Sequence, residues 1–217
     1  MSNLEPMLRQ GLAELDLALS DAQVAQLLAY LALIQKWTKV YNLTAVRDPA
    51  EMLTHHLLDS LAVIQPLQRQ LAQLPAAGPL RLLDVGSGAG LPGVVMAICC
   101  PQITVHCVDT VAKKAAFIQQ VAVTLKLPNL RGLHARVESL TDKYQVISSR
   151  AFASLADFTS WSVAALAEQG IWMAMKGKHP ADEITALPSS VEVFHVEQLD
   201  VPGLEAERCI VWMRSSG

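Results

Sequence analysis

The 217-residue sequence contains little charge and few aromatic residues. Charged residues make up 17% of the chain and aromatic residues 5%, against 52% hydrophobic residues. Disordered chains combine low hydrophobicity with high charge, so this composition excludes that class. The formal net charge is only -3. No overall positive charge attracts nucleic acid, and any contact with RNA would depend on local patches or on a partner surface.

Long apolar runs and an export signal are also missing. No stretch approaches the roughly 18 uninterrupted apolar residues of a membrane span. Glu5, Glu14 and Asp16 stand where a signal peptide would carry its basic and apolar segments. The four cysteines have no C-x-x-C spacing, which argues against zinc sites and disulfide frameworks. We expect a compact monomer in the cytoplasm that contacts neither a membrane nor DNA.

Helix signals dominate the first third of the chain. Ser20 and Gln23 form the pattern of a capping box, and Asp48 before Pro49 predicts another helix start. A Pro-Ala-Ala-Gly-Pro cluster at residues 75–79 then interrupts the helical pattern. These features predict a helical N-terminal extension, residues 1–74, followed by an α/β domain, residues 80–217.

Short apolar runs alternate with helical patterns after this boundary. They predict seven strands, near residues 80–85, 103–108, 131–135, 144–149, 171–176, 191–197 and 208–213. Such alternation is typical of a parallel sheet, whereas the turn at residues 201–203 favours an antiparallel hairpin at the end. We therefore expect a seven-stranded, mostly parallel sheet that binds ligands beyond the carboxyl ends of its strands.

The most informative segment follows the first predicted strand. Asp84 lies at the end of the strand, and Gly86, Gly88 and Gly90 alternate after it. Glycines let the backbone turn sharply and approach a ligand closely, which predicts a site for a nucleotide-like cofactor. A plain strand-to-helix turn is the alternative without function.

Two cofactor classes are compatible with this turn. Gly88, Gly90 and Gly93 fit the G-x-G-x-x-G pattern of dinucleotide sites, with Asp109 about 20 residues further on, so an NAD(P)-dependent oxidoreductase is one hypothesis. Asp84 favours S-adenosylmethionine, because a carboxylate attracts its cationic sulfonium and ammonium groups. Asp109 serves either ligand by accepting hydrogen bonds from ribose hydroxyls, although an acid at a strand end is also commonly only solvated.

Several blocks of the sequence together resemble one family. They are K-W-T-K-V-Y-N-L-T at 36–44, H-L-L-D-S at 56–60, the glycine segment 84–93, R-V-E at 136–138, S-R-A-F-A at 149–153 and K-G at 176–177. With these blocks, the chain is similar over nearly its whole length to the ribosomal RNA small-subunit methyltransferase G family, also called glucose-inhibited division protein B. Many methyltransferases share the glycine segment, but its combination with the first and fifth blocks is specific.

The resemblance implies a Rossmann-like, class I S-adenosylmethionine-dependent methyltransferase. It implies methylation of guanine N7 in the decoding-region loop of 16S rRNA of the small ribosomal subunit. By the same match, Gly86 and Leu91 line the cofactor pocket, Val137 and Glu138 lie beside the adenine, and Arg150 stands at the face shared by cofactor and substrate. The expected cofactor-binding residues are Asp84, Gly86, Gly88, Leu91, Asp109, Val137, Glu138 and Arg150.

The sequence lacks the motifs of two other kinds of base methylation, which agrees with methylation at guanine N7. Cytosine C5 methylation needs a cysteine nucleophile, commonly after a proline, whereas Cys100 precedes Pro101; the N/D-P-P-Y/F loop of amino-group methylation does not occur. Guanine N7 carries a free lone pair and needs no general base, so orientation of the reacting atoms can supply most of the catalysis.

Arg150 and Lys176 are the candidate catalytic residues. The planar guanidinium of Arg150 suits the methionine carboxylate or a substrate phosphate. Lys176, beside Gly177, could contact RNA or stabilise guanine O6 as charge moves onto the base. The structural alternatives are a surface salt bridge for Arg150 and a solvated side chain for Lys176.

Two other clusters allow a functional and a structural interpretation. His55 and Asp59 share a helical face, but two ligands are too few for a metal, so we expect none and assign His56 to helix packing or an RNA contact. Positive charge and aromatic rings alternate near the end of the extension, which suits phosphate contact and base stacking unless the rings only pack inward. These residues are Lys36, Trp37, Lys39, Tyr41 and Arg47. A non-catalytic RNA-binding protein with a vestigial pocket is the remaining hypothesis.

Overall fold

A computed structural model describes residues 4–75 and 78–216, and a seven-stranded sheet forms its centre. The strands are β1 (Arg81–Val85), β2 (Thr104–Asp109), β3 (Leu130–His134), β4 (Tyr144–Arg150), β5 (Leu166–Lys176), β6 (Val191–Leu199) and β7 (Arg208–Ser215). Their order across the sheet is β3-β2-β1-β4-β5-β7-β6. The first five strands pair in parallel, and β7 is antiparallel to both β5 and β6. The predicted mostly parallel sheet and its antiparallel hairpin are confirmed.

Helices precede the sheet and connect its strands. The N-terminal helices are α1 (Leu4–Glu14), α2 (Asp21–Tyr41), α3 (Pro49–Met52), α4 (Asp59–Leu61) and α5 (Ile64–Leu71), with a π-helical segment, Leu53–Leu58, between α3 and α4. The later helices are α6 (Gly93–Cys99), α7 (Ala112–Thr124), α8 (Leu155–Ser162) and α9 (Ala181–Thr185), and Val137–Ser139 and Val163–Ala165 form short 3-10 turns.

Local sequence explains where the N-terminal helices begin. The Ser20 hydroxyl accepts a hydrogen bond from the Gln23 backbone N–H, and the Gln23 side chain binds the Ser20 N–H in return. The Asp48 carboxylate accepts hydrogen bonds from the N–H groups of Ala50 and Glu51. Each cap satisfies backbone donors that have no partner inside the helix. Both predicted helix starts are therefore confirmed.

The N-terminal helices share a hydrophobic core with the sheet. Leu27 and Ile34 of α2 are buried in the same cluster as Val94 of α6 and Ile118 of α7. A second cluster, which includes Ile147 and Trp172, lies with α8. The predicted division into residues 1–74 and 80–217 stays a prediction. Residues 76 and 77 of the boundary cluster lie outside the described residues. The extension packs against α6 and α7 and shares one hydrophobic core with the sheet.

Candidate cofactor and substrate site

The glycine turn joins β1 to α6 at the carboxyl edge of the sheet. Gly86, Gly88 and Gly90 have φ values of 65°, 57° and 88°, which L side chains rarely adopt. The N–H groups of Gly86 and Ser87 donate to the carbonyl oxygen of Val108, at distances of 3.0 and 3.3 Å. These bonds hold the turn against the end of β2, so glycine at alternate positions is a requirement of this backbone path.

The Asp84 carboxylate stabilises the start of α6, directly after the glycine turn. It accepts hydrogen bonds from the Gly93 N–H at 3.1 Å and from Ser148 Oγ at 2.9 Å, and the residue is fully buried. Burial raises the pKa of Asp84 to about 6, although these two bonds and the charge of Arg150 lower it. The carboxylate thus anchors the start of α6 to β1 and β4, and its contact with a cofactor remains a prediction.

The N-terminal extension also stabilises the glycine turn, through one hydrogen bond. The hydroxyl of Tyr30 in α2 donates a 2.6 Å hydrogen bond to the carbonyl oxygen of Ala89, and the whole Tyr30 side chain is buried. Burial also raises the pKa of Tyr30 well above its ordinary value, so the phenol stays protonated and can donate. The conformation of the turn consequently depends on a residue 59 positions earlier in the chain.

A cavity of about 460 Å³ opens beside the glycine turn. It lies at the carboxyl ends of β1, β2, β3 and β4, and four predicted cofactor residues line it: Gly86, Asp109, Val137 and Glu138. The lining also includes Lys114, Phe152 and Trp161, which were not predicted as cofactor residues. Its volume falls within the range of small-molecule sites, roughly 300–1,000 Å³. Asp84, Gly88, Leu91, Arg150 and Lys176 lie outside this lining.

Asp109 connects the turn with the start of α7. One carboxylate oxygen accepts the Gly88 N–H at 3.0 Å, and the other accepts the Val111 N–H at 2.9 Å. The Lys114 ammonium lies 3.7 Å from the carboxylate. Each carboxylate oxygen can accept more than one hydrogen bond, so Asp109 keeps capacity for ribose hydroxyls. The side chain is therefore both structural and available to a ligand.

An aromatic pair forms another wall of the cavity. The rings of Phe152 and Trp161 meet edge to face, with their centroids 5.8 Å apart. A Cβ added to Gly86 would lie 2.1 Å from Phe152 Cδ2, so the absence of a side chain at Gly86 makes room for this ring. Ala151, directly before Phe152, has a φ of 50°. No sequence motif surrounds Trp161, so its place in the cavity could not be predicted. The packing of the fold brings this half-exposed residue to the cavity.

Arg150 and Lys176 end the adjacent strands β4 and β5. Arg150 Nη1 donates to an Asp59 carboxylate oxygen at 2.8 Å and to the His55 carbonyl at 3.2 Å. Lys176 Nζ donates to both Glu183 carboxylate oxygens, at 3.0 and 2.8 Å, and to the Ala153 carbonyl at 3.1 Å. Both cations are thus held by protein groups, and their catalytic roles remain predictions.

The His55, His56 and Asp59 cluster contributes to packing and ion pairing. Within residues 4–75 and 78–216, no group of three or more His, Cys, Asp or Glu side chains is placed to hold a metal ion. His56 is buried, and its Nε2 lies 2.9 Å from Thr44 Oγ1. Burial, followed by the charge of Arg150, lowers the pKa of His56 to about 4, so its ring is neutral at pH 7.

The aromatic residues of α2 pack in part and are exposed in part. Trp37 contacts Phe117 of α7 at a centroid distance of 5.1 Å, and the Tyr41 ring lies 5.0 Å from that of Trp37. Tyr41 remains 43% exposed, with the Lys113 ammonium 5.9 Å from its ring centre. The packing interpretation therefore holds for Trp37, whereas Tyr41 stays accessible to a partner.

The sequence of this chain matches a known family over most of its length. The sequence model of the family described as "rRNA small subunit methyltransferase G" matches residues 23–211. The chain belongs to this family. It is 73% identical over 222 residues to Ribosomal RNA small subunit methyltransferase G of Albidiferax ferrireducens, a match that covers 100% of this chain and 99% of that one. Identity to the Polaromonas naphthalenivorans protein of the same name is 69% over 212 residues, covering 98% and 96% of the two chains.

Solved structures support the fold. The N-methyltransferase NodS of Bradyrhizobium japonicum, in complex with S-adenosyl-L-homocysteine, superimposes with a TM-score of 0.59 at 12% sequence identity. The match covers 84% of this chain and 100% of NodS. The sheet is thus that of class I S-adenosylmethionine-dependent methyltransferases, as the family resemblance implied. Its antiparallel β7 between β5 and β6 differs from the parallel strand order of dinucleotide-binding folds, which removes support from the oxidoreductase hypothesis.

No helix in the described part of the chain combines the length and the apolar character that a membrane crossing requires.

Proposed function

We propose that this chain transfers the methyl group of S-adenosylmethionine to N7 of a guanine in 16S rRNA of the small ribosomal subunit. Family membership supports the reaction class and the rRNA substrate. The single structural observation that carries the proposal is the cavity beside the glycine turn, with Asp109 and Glu138 in its wall. The target atom rests on the family resemblance and on the absence of motifs for other base methylations.

The cavity suits S-adenosylmethionine in size and in chemistry. Asp109 offers a carboxylate to the hydroxyl groups of a ribose, and Val137 and Glu138 line the part of the cavity that we assign to the adenine. The Phe152 ring can stand in the cavity wall only because Gly86 has no side chain. The bound cofactor would supply an electrophilic methyl group on its sulfonium sulfur. Gly88, Leu91 and Asp84 lie outside the cavity lining. They would contribute to cofactor binding by fixing the backbone conformation of the glycine turn.

The protein residues mainly bind and orient the reactants. N7 attacks with a lone pair that carries no proton, so no residue has to act as a general base. Placing N7, the methyl carbon and the sulfur in line can lower the barrier by up to roughly 7–11 kcal/mol. Arg150 and Lys176, at the ends of β4 and β5, would fix the substrate on the side of the turn that faces away from β2.

We also propose that the protein works as a cytoplasmic monomer on the small subunit, without contacts to DNA or membranes. A net charge of -3 provides no general attraction to RNA. We therefore expect free 16S rRNA to be a poorer substrate than a subunit particle that presents the target loop in a fixed shape.

Methyl transfer to isolated small subunits tests this function. Subunits from a strain that lacks the modification are incubated with the protein and tritiated S-adenosylmethionine, and the modified nucleotide is mapped by chemical cleavage at N7-methylguanine. Fully modified subunits are the control and should accept no label. Label in a different nucleotide would refute the proposed target, and no label at all would favour the non-catalytic RNA-binding hypothesis.

A binding experiment separates the cofactor classes. S-adenosylhomocysteine and NADH are titrated separately by calorimetry. We expect heat of binding only for S-adenosylhomocysteine. Binding of NADH alone would overturn the cofactor assignment.

A further inference from the structure

A buried carboxylate joins two arginines from different strands at the substrate side of the sheet. One oxygen of Asp59 accepts Arg150 Nη1 and the other accepts Arg208 Nε, both at 2.8 Å. Asp59 itself is 3% exposed. It lies directly after the π-helical segment in the N-terminal extension, whereas Arg150 ends β4 and Arg208 begins β7. A residue of the extension thus fixes the spacing of two cations in the sheet.

The strand order places these cations in a row. In the sheet register, Arg150 of β4 is opposite Met175 of β5, and the next residue, Lys176, is opposite Cys209 of β7. Arg150, Lys176 and Arg208 therefore stand on successive strands at one edge. The side chains of Arg150 and Arg208 share the face that contacts Asp59, whereas Lys176 points to the opposite face and pairs with Glu183. The row begins one residue beyond the Val85–Ser149 pair, where the glycine turn leaves β1. It extends from the cofactor turn toward β7, on the side away from the cavity.

Asp59 balances only part of the charge that it organises. One carboxylate faces two guanidinium groups, which leaves a net positive charge. Arg150 uses Nη1 for its protein contacts, and Arg208 uses Nε for Asp59 and Nη1 for the Glu207 carbonyl. Throughout the described residues, neither Nη2 atom donates a hydrogen bond to the protein. The side chains of Arg150 and Arg208 are 21% and 25% exposed, so water or a ligand can reach them.

We propose that Asp59 is a positioning residue that holds Arg150 and Arg208 as one binding site for a backbone phosphate of the RNA strand that carries the target base. The inference rests on the proposed function and adds a defined contact to it. Guanidinium groups with fixed orientation and free N–H donors match phosphate oxygens. The cofactor carboxylate fits this site less well, because Arg208 lies two strands beyond β4 and Arg150 is outside the cavity lining.

The variant Asp59→Asn distinguishes positioning from simple charge balance. It removes one negative charge, so long-range electrostatics alone would strengthen RNA binding. If Asp59 positions the two arginines, the substitution instead raises KM for small subunits, on the order of tenfold. The affinity for S-adenosylhomocysteine should stay within about twofold of wild type, since the cavity lies on the other side of the turn.

Arg208→Gln provides a second test that leaves Asp59 paired with Arg150. We expect KM for small subunits to rise, and the slope of log affinity against log salt concentration to become shallower by about 0.7–1, the value of one lost phosphate contact. Arg208→Lys should restore the slope, because it restores the charge, but only part of the affinity. Arg214→Gln is the matched control: Arg214 is on the same strand and pairs with Glu192, at the far end of β7.

The outcomes separate this inference from the proposed function. If wild-type protein methylates small subunits while Arg208→Gln behaves as Arg214→Gln in KM and salt slope, the phosphate site is wrong and the function stands. Tighter subunit binding by folded Asp59→Asn would likewise refute positioning. If wild-type protein transfers no methyl group, the function itself fails. The salt slope of subunit binding, measured without the cofactor, then still decides whether Arg208 contacts RNA.

Discussion

The fit between Gly86 and Phe152 leads to a quantitative prediction for Gly86→Ala. Gly86 has a φ of 65°, and an added Cβ would lie 2.1 Å from Phe152 Cδ2 and 3.0 Å from its Cγ. The left-handed backbone alone costs about 1–2 kcal/mol for an alanine. For a chain of this size, that cost lowers Tm by about 2–8 °C. The contact with Phe152 adds a second effect, because the ring has to move.

Movement of Phe152 should weaken cofactor binding. The ring lines the cavity and packs edge to face against Trp161. If the cofactor binds only to the original arrangement of the two rings, restoring that arrangement costs about 0.5–1.5 kcal/mol, which corresponds to roughly two- to tenfold weaker binding. Entry of the displaced ring into the cavity would weaken it further. Calorimetric titration with S-adenosylhomocysteine measures the affinity, and thermal unfolding followed by circular dichroism measures Tm.

Gly203→Ala is the matched control for backbone strain. Gly203 has a φ of 72°, but its added Cβ would meet only Thr54, at ordinary distances of 3.7 and 3.8 Å. We expect a similar fall in Tm with unchanged affinity for S-adenosylhomocysteine. If Gly86→Ala and Gly203→Ala lose the same stability and both bind the ligand as wild type does, the cavity wall assigned to Phe152 does not belong to the cofactor site.

Two further predictions concern buried polar groups. Tyr30→Phe removes the hydrogen bond to the Ala89 carbonyl, so we expect about 1 kcal/mol lower stability and weaker S-adenosylhomocysteine binding through a looser glycine turn; a stability loss with unchanged binding would show that the turn holds its shape without Tyr30. His56 has a pKa of about 4 against an ordinary 6.5, so it takes up its proton more readily when unfolded, and its contribution to stability falls as pH drops through that window. Asp84, with its pKa raised to about 6, has the opposite sign: stability falls as pH rises through the window from 3.8 to 6. In urea unfolding at pH 6.5 and pH 4.5, His56→Gln should therefore lose about 2 kcal/mol less than wild type on acidification, and equal losses would contradict a buried, neutral His56.

Much of the fold could be predicted because its signals are local in sequence. Apolar runs gave seven strands whose positions agree with the sheet, and the Ser20 and Asp48 caps begin helices as expected. The start of β5 is different: it begins at Leu166, five residues earlier than predicted, and its pairing with β4 is irregular near Tyr144. Gln169 has a φ of 60° in this stretch. The polar and glycine residues at 168–170 give no strand signal in the sequence, and this part of β5 forms because it pairs with β4.

The candidate site was predictable where backbone geometry dictates residue type. Glycines at 86, 88 and 90 and the acid at Asp109 follow from the turn itself. Trp161 and Lys114 were missed as cavity residues because they stand on helices, and their positions depend on how α8 and α7 pack. The contact of Asp59 with Arg150 and Arg208 spans 91 and 149 residues. A spacing of four between His55 and Asp59 suggested a shared face, but the π-helical segment changes the local register and the carboxylate meets arginines instead.

The position of β7 has a consequence for how the sheet is completed. This strand comes last in the described chain, yet it lies between β5 and β6 and pairs with both. Until residues 208–215 have been synthesised, β6 has no neighbour and β5 exposes an open edge to other chains. A chain truncated shortly before residue 208 would therefore lack both Arg208 and the strand that closes the sheet. Premature termination just before residue 208 should therefore yield aggregates rather than a partly active enzyme.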